Sequence, residues 1–213
     1  DLDSDGRQEV IAGSSAYAFP RGPAGATDPA DCSEHPPSND EERAFCASRL
    51  LLMWSAVSVN GVAAGAGASL SLTCDIAIAA PAASFIQAFS KIGLIPDAGG
   101  SWFLVERLGL ARATALAMTG DKLSAEQAQQ WGLVWQVDAD CVAAAWAMAE
   151  RLAAMPTQAL VATRALLRDA SQRTLSAHLD VERDTQSQLG RTHDYIEGVS
   201  AFLQKRPAQF TGN

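Results

Sequence analysis

The pattern of hydrophobic and polar residues changes along the chain. Short runs rich in β-branched residues come first, at 57–59 and 75–79, and predict buried strands, with 84–86 as a further candidate. Apolar residues then recur every three or four positions, which predicts amphipathic helices. These helices are expected over 100–107, 111–118, 142–154, 157–169 and 174–190, with one more strand over 133–137. The order predicts an α/β fold whose last part, from about residue 140, is helical.

Two short sequence patterns mark helix starts. Residues 124–127 form a capping box, in which a serine hydroxyl and a glutamine three residues later satisfy the first backbone N–H groups of a helix. Residues 194–197 have a similar pattern, with an aspartate in the capping position. Both sites are therefore predicted to begin helices.

The stretch from residue 50 to residue 74 carries no charge and is long enough to span a bilayer. Glycine, serine and threonine dilute its apolar character, and Asn60-Gly61 is a turn signal in its middle. We therefore expect a buried strand, a turn and a helix of small residues over 62–73. No membrane association is expected.

Charge and proline content separate residues 1–54 from the rest of the 213-residue chain. The chain has a net charge of −8, of which the first 54 residues contribute −6, and five of the nine prolines lie there. Such a segment is typical of a divergent or poorly ordered region, whereas residues 55–213 have the composition of a folded domain. The acidic charge argues against a nucleic acid partner.

Cysteine and histidine are scattered and show no spacing that would complete a metal site. The cysteines are expected to be buried or idle thiols in a reducing compartment. The polar start of the chain does not resemble a secretory signal, so a cytoplasmic location is expected. The residues concerned are Cys32, Cys46, Cys74, Cys141, His35, His178 and His193.

A glycine-rich turn, Gly65-Ala66-Gly67, stands at the predicted start of the small-residue helix. The first N–H groups of a helix have no acceptor within it, and the helix dipole favours negative charge there. A thioester carbonyl oxygen that gains charge during a reaction would be stabilised at such a place. Close helix packing also selects small residues, so the turn alone leaves both interpretations open.

Asp97 lies in a second segment rich in turn residues. Pro96 and the glycines at 99 and 100 bend the chain before a helix, and Asp97 is the only carboxylate between Asp75 and Glu106. An isolated aspartate before a helix is usually an N-cap. A catalytic role for Asp97 therefore depends on both segments together.

Together, and in order, these segments resemble the crotonase (enoyl-CoA hydratase/isomerase) superfamily over residues 55–213. The matching motifs are 60–67, 74–76, 95–100, 119–120, 124–128, 131–134 and 197–206. The resemblance implies a spiral of ββα units followed by a helical trimerisation region, with the amino-terminal part divergent or missing. It also implies an acyl-CoA thioester as substrate, no separate cofactor because coenzyme A is part of that substrate, and a homotrimer or a dimer of trimers.

The resemblance also implies the reaction. Segments 89–97 and 179–184 look most like the isomerases of ring-epoxide phenylacetyl-CoA in aerobic phenylacetate degradation. Hydratases of the superfamily use two glutamates, whose positions fall on Ser69 and Phe89 here, whereas Asp97 stands where the isomerase branch keeps one carboxylate. A single carboxylate suffices to move a proton along an unsaturated acyl group. The expected function is acyl-CoA isomerisation, of an unsaturated or ring-epoxide phenylacetyl-CoA thioester.

Residue roles follow from the same resemblance. The Ala66 N–H would stabilise the thioester enolate, and Asp97 would be the acid/base group. Gly65 and Gly67 would contact the substrate on either side of Ala66, and Phe202 and Lys205 would contact coenzyme A. For Lys205, a simpler role as a charge partner of a helix end has equal weight.

Two alternatives remain open. One is an enoyl-CoA hydratase, and the other is a catalytically impaired subunit that binds acyl-CoA or a partner. The second arises because the family carries an upstream A-G-x-D segment that supplies the other half of the oxyanion hole. Only residues 45–48 resemble it here, with Ser48 in place of the glycine.

Overall fold

The computed structural model describes residues 56–213 and the backbone of two short strands, β1 (Glu9–Ala12) and β2 (Ser15–Ala18). The weak match at 45–48 to the upstream oxyanion segment lies outside the described residues. The described residues fall into two compact units, one that ends at residue 149 and one of residues 150–213.

The first unit contains the strands. They are β3 (Ala56–Val59), β4 (Val62–Ala64), β5 (Ile76–Ala79), β6 (Ser84–Ile86), β7 (Lys122–Ser124) and β8 (Gln136–Val137). Its helices are α1 (Ala66–Thr73), α2 (Gly100–Leu108), α3 (Leu110–Thr119) and α4 (Ala125–Gln130), with a 3₁₀ turn at Ala88–Ile92. Helix α5 (Cys141–Ala153) begins in this unit and ends in the second.

The strands form two sheets through a repeated step. One sheet has the order β1-β2-β3-β5-β8 and the other the order β4-β6-β7. In each of two successive steps the chain places one strand in each sheet and then enters a helix: β3, β4 and α1, followed by β5, β6 and α2. The pairs β3/β5 and β4/β6 are both parallel, as such a repeat requires. The predicted spiral of ββα units is confirmed.

The core of the first unit lies where the strands meet α1 and α2. All four residues of β3 are buried, which is typical of a strand covered on both faces. Large apolar side chains from four elements fill the interior: Ile78, Phe85, Leu104 and Leu123. Ala68 and Ser69 of α1 are fully buried, so the small residues of this helix bring its backbone close to its neighbours.

The helix predicted over 62–73 begins later than expected. Val62–Ala64 is strand β4, paired with β6, and α1 starts only at Ala66. The change occurs at Gly65, whose φ of 55° and ψ of −127° turn the chain into a conformation that residues with a β-carbon rarely adopt. The Gly65 N–H donates to the Ile86 carbonyl at 2.9 Å, so β6 fixes the turn.

The second unit is helical. It contains α6 (Thr157–Asp169), a 3₁₀ turn at Ala170–Gln172, α7 (Leu175–Leu189) and α8 (His193–Gln204). The capping prediction at 124–127 is confirmed, since the Ser124 hydroxyl accepts from the Gln127 N–H at 3.2 Å. The prediction at 194–197 is wrong, because α8 is capped by Thr192, whose hydroxyl accepts from the Tyr195 N–H.

The strand predicted over 133–137 is shorter than expected. Only Gln136–Val137 is extended, because the preceding residues instead bind back to α4, where the N–H groups of Leu133 and Val134 donate to the Ala128 carbonyl. Among the residues described, no helix combines the length and apolar character needed to cross a bilayer.

Helices α1 and α2 approach most closely at Ser69 and Gly100. A β-carbon on Gly100 would lie 2.2 Å from the Ser69 Oγ and 3.0 Å from the Ser69 Cβ. Both distances are shorter than ordinary van der Waals contacts, so a side chain at residue 100 would require the Ser69 hydroxyl to rotate and the two helices to separate by a few tenths of an ångström. This contact fixes the start of α2 against the middle of α1.

Replacement of Gly100 by alanine should therefore destabilise the protein by about 1–3 kcal/mol, the usual cost of overpacking. Gly61→Ala is the matched control, because a β-carbon at Gly61 would meet no atom within 4 Å. The double variant Ser69→Ala/Gly100→Ala should recover part of the loss. Urea unfolding measures all three variants, and equal midpoints for Gly100→Ala and Gly61→Ala would contradict the close approach.

Candidate active site

The first N–H groups of α1 are available to a ligand. Gly65 is the N-cap, no side chain within the described residues caps the helix, and no acidic residue lies in its first turn. Ala66, the first helical residue, is only half-buried and has no acceptor for its N–H within the helix. The strand-to-helix turn at Gly65 thus presents the Ala66 N–H at the positive end of the helix dipole.

Asp97 lies in the turn that leads into α2. The 3₁₀ turn ends at Gly93, and Ala98 and Gly99 then adopt left-handed conformations with φ of 48° and 76°. The Gly100 N–H donates to the Asp97 carbonyl at 2.7 Å, which closes the turn. This turn fixes the backbone that carries the Asp97 carboxylate.

The Asp97 side chain does not cap α2. The N-cap is Gly99, and no side chain accepts from the first N–H groups of the helix. Asp97 is exposed, and among residues 56–213 its carboxylate has no hydrogen-bond or ion-pair partner. The N-cap interpretation of Asp97 is therefore wrong, and its carboxylate is free to act on a bound molecule.

Two contacts bring the α1 start and the Asp97 segment together. Ser69, one turn into α1, abuts Gly100, which lies three residues after Asp97. The Phe89 ring in the 3₁₀ turn lies 3.8 Å from the place of a β-carbon on Gly65. These contacts place the start of α1 and the turn that carries Asp97 in one region of the first unit, with Ser69 and Phe89 between them in the packing.

Exposed apolar side chains surround Asp97 in the sequence. Ile95 is 81% exposed, and Trp102, in the first turn of α2, is 50% exposed. The Phe103 ring meets the Trp102 ring edge to face, with centroids 4.9 Å apart. Clustered exposed apolar groups are typical of a ligand or protein contact surface. Their position was visible in the sequence, but their exposure depends on the fold.

Phe202 and Lys205 belong to the second unit. Phe202 lies on α8 and is 83% exposed, and Lys205 ends that helix in a left-handed conformation with φ of 54°. A cleft of about 530 Å³ lies in this unit, and its lining is mainly apolar. The residues that line it include Pro156, Leu189, Tyr195, Val199, Phe202 and Phe210. The sequence motif at 197–206 indicated Phe202, but nothing in the sequence indicated the cleft.

Residues 206–213 fold back onto α8, a feature the sequence did not reveal. The Glu197 carboxylate accepts from Arg206 at 2.6 and 2.8 Å and from the Gln209 N–H at 2.8 Å. The buried Asp194 carboxylate accepts from the N–H groups of Thr211 and Gly212 at 2.8 and 2.9 Å. Asp194 thus serves the returning segment rather than the helix start.

Two of the four cysteines are described. Cys74 and Cys141 are buried and not in disulfides, as expected, and burial raises the pKa of the Cys141 thiol. Cys32 and Cys46 lie outside the described residues. Within the described part of the chain, no cluster of three or more His, Cys, Asp or Glu side chains could hold a metal ion.

The fold and the site define an α/β protein of the ββα-spiral class with a helix-start N–H and one carboxylate in the same region. A family model described as enoyl-CoA hydratase/isomerase matches residues 52–213. The chain belongs to the enoyl-CoA hydratase/isomerase family.

Individual relatives carry both activities in their names. The chain is 54% identical over 157 residues to 1,2-epoxyphenylacetyl-CoA isomerase of Escherichia coli K12, covering 73% of this chain and 60% of that protein. It is 38% identical to 2,3-dehydroadipyl-CoA hydratase of the same organism, covering 73% and 62%. The chain thus spans about three-fifths of the length of these relatives.

A solved structure agrees with the fold. An enoyl-CoA hydratase from Polaromonas sp. JS666 matches with a TM-score of 0.71 and 37% identity, covering 85% of this chain and 73% of that one.

The Glu197–Arg206 pair should make the stability of the fold depend on pH. Hydrogen bonds from Arg206 and then from the Gln209 N–H lower the pKa of Glu197 from 4.5 to about 2. A lowered pKa in the folded state means that the pair stabilises the fold above pH 4.5 and that this stabilisation is lost as the pH falls toward 2. Carboxyl NMR should show Glu197 titrating near 2.

The Arg206→Gln variant should move the titration of Glu197 back toward its ordinary range, because the principal partner is lost. Arg191→Gln, which alters another exposed arginine of this unit, should not move it. A Glu197 titration unchanged by Arg206→Gln would show that the ion pair does not form in solution.

Proposed function

We propose that the chain is an acyl-CoA isomerase that moves a proton within an unsaturated or ring-epoxide phenylacetyl-CoA thioester through a stabilised enolate. The observation that carries the proposal is the convergence of the α1 start and the Asp97 segment through the Ser69–Gly100 contact. The 54% identity to an epoxyphenylacetyl-CoA isomerase supports the substrate class. Coenzyme A enters as part of the substrate, without a separate cofactor.

In the proposed reaction, the Asp97 carboxylate removes a proton from the carbon next to the thioester carbonyl. The electrons of that C–H bond form a carbon–carbon double bond, and the negative charge moves to the carbonyl oxygen. The Ala66 N–H donates to this oxygen at the positive end of α1. The oxygen then re-forms the carbonyl, the double bond of the acyl group moves toward the α-carbon, and protonated Asp97 gives its proton to the carbon freed at the far end of that double bond, so that no atom is gained or lost.

The identity of neighbouring residues favours isomerisation over hydration. Water addition to an enoyl thioester needs groups that deprotonate water and protonate the α-carbon. Beside Asp97, the region offers the hydroxyl of Ser69 and the ring of Phe89, and no carboxylate lies between Asp75 and Asp97 in sequence.

Hydration is the second candidate because relatives named as hydratases also match. Its acid/base group would again have to be Asp97 or a residue outside the described part of the chain.

The proposal also covers the contacts with coenzyme A, the oligomeric state and the location of the protein. Phe202 and Lys205 would contact the coenzyme A moiety, which the exposure of Phe202 and its place in the cleft of the second unit support. The exposed apolar residues of α8 support association into a homotrimer or a dimer of trimers. A cytoplasmic location is proposed from the sequence alone.

The test is Asp97→Asn, assayed with a 3-enoyl-CoA, a ring-epoxide phenylacetyl-CoA and a 2-enoyl-CoA. Isomerisation of the first two should fall by about 100-fold to 10,000-fold, the usual contribution of a general acid/base. Asp121→Asn is the matched control, since Asp121 is also exposed and lies just before β7. Its activity should equal that of the unaltered chain.

Two other outcomes would identify a hydratase or an acyl-CoA-binding subunit. Hydration of the 2-enoyl-CoA that survives Asp97→Asn, without isomerisation, would overturn the proposal in favour of a hydratase. Binding of all three thioesters by calorimetry without any turnover would instead identify an acyl-CoA-binding subunit.

A further inference from the structure

Ser69 has a buried hydroxyl without a partner. The residue is fully buried, and its Oγ makes no hydrogen bond with any described residue. Leaving a buried hydroxyl unpaired is unfavourable, so such groups normally have a partner, in the protein or in a bound molecule. The same helix shows the ordinary solution, because the Ser71 Oγ donates to the Ala68 carbonyl at 2.7 Å and the Thr73 Oγ1 to the Leu70 carbonyl at 2.8 Å.

The position of Ser69 relates it to the candidate site. Residues three apart lie on the same face of a helix, so Ser69 shares a face with Ala66. Helical side chains tilt toward the N-terminus of their helix, which directs the Ser69 hydroxyl toward the turn that begins at Ala66. On its other side the hydroxyl meets Gly100, three residues after Asp97.

Other buried polar atoms in the described residues also lack partners, but their positions differ. They are Ser84 Oγ, Gln87 Oε1 and His178 Nδ1. Ser69 is the one among them that lies on α1 itself and touches the segment that follows Asp97.

We propose that the Ser69 hydroxyl donates a hydrogen bond to an oxygen atom carried by the acyl group of the substrate, so that Ser69 selects oxygen-bearing acyl groups such as a ring epoxide over hydrocarbon ones. This inference rests on the proposed function, since it assumes that the acyl group lies between Ala66 and Asp97. A hydrocarbon acyl group leaves the hydroxyl unpaired, and a site built to hydrogen-bond a substrate discriminates against the analogue that lacks the partner.

The backbone around Ser69 is compatible with this role. Gly100 lies against the hydroxyl, and the preceding residues 93–99 are exposed apart from the half-buried Pro96. The proposed hydrogen bond requires Gly100, the first residue of α2, to separate slightly from Ser69 when the acyl group binds, while Leu104 and Leu108 further along α2 stay in the core.

The experiment compares Ser69→Ala with the unaltered chain on a ring-epoxide phenylacetyl-CoA and on a 3-enoyl-CoA whose acyl group is a hydrocarbon. We expect kcat/KM to fall about ten-fold for the first and to stay within about two-fold for the second, the loss expected for one neutral hydrogen bond. Ser71→Ala is the matched control: its hydroxyl is also buried on α1 but already paired. It should change both substrates by the same factor.

Stability and binding give readouts that do not depend on turnover. Ser69→Ala should leave the urea midpoint unchanged or raised, whereas Ser71→Ala should lower it, because only Ser71 loses a hydrogen bond. Calorimetry of the same two thioesters should show a loss of affinity confined to the epoxide.

Equal losses on both thioesters, or no loss on either, would overturn the role of Ser69. If either outcome is found and the Asp97→Asn variant is inactive in the isomerisation assay, the proposed function still stands. If the unaltered chain turns over neither thioester, the proposed function fails, and the calorimetric comparison still decides whether Ser69 recognises the oxygen.

Discussion

The close approach of α1 and α2 at Ser69 and Gly100 is the constraint on which the site depends. Because residue 100 has no side chain, the Ser69 side chain of α1 packs directly against the backbone at the start of α2, and the turn containing Asp97 lies beside the helix that begins at Ala66. The Gly65 turn completes the arrangement, since its positive φ separates β4 from α1 and leaves the first N–H groups uncapped. Gly65 and Gly100 thus position the site through the turn and the close contact that they allow, although neither contributes a reactive group.

The proposed reaction follows from the small number of polar groups that lie together at the start of α1 and the Asp97 turn. The described side of α1 offers one N–H donor from Ala66, one hydroxyl from Ser69 and the ring of Phe89, while Asp97 supplies the carboxylate. One donor and one carboxylate match the needs of a proton transfer within a single bound thioester. Addition of water would require a further group to hold and deprotonate it.

Much of this was predictable from residue order. The strands at 57–59, 75–79 and 84–86 are confirmed within one residue, because β-branched runs between turn residues have few alternatives. Three of the predictions that failed did so for reasons that local sequence does not carry. Val62–Ala64 is a strand because it pairs with β6, whose partner residues lie twenty-two positions later in the chain and leave no local signal. Asp97 does not cap α2, because Gly99 occupies the cap. Asp194 binds Thr211 and Gly212, a contact that only the tertiary fold creates.

In the proposed site, the Ala66 N–H and the Asp97 carboxylate face the same bound acyl group. NMR of the chain, with ¹⁵N-labelled alanine and ¹³C-labelled aspartate, would follow both groups during titration with phenylacetyl-CoA, a thioester without a ring epoxide. We expect the Ala66 amide and the Asp97 carboxyl signals to shift together along one binding curve, while the Asp121 carboxyl signal stays unchanged. If phenylacetyl-CoA binds and neither the Ala66 nor the Asp97 signal shifts, the two groups do not form the site.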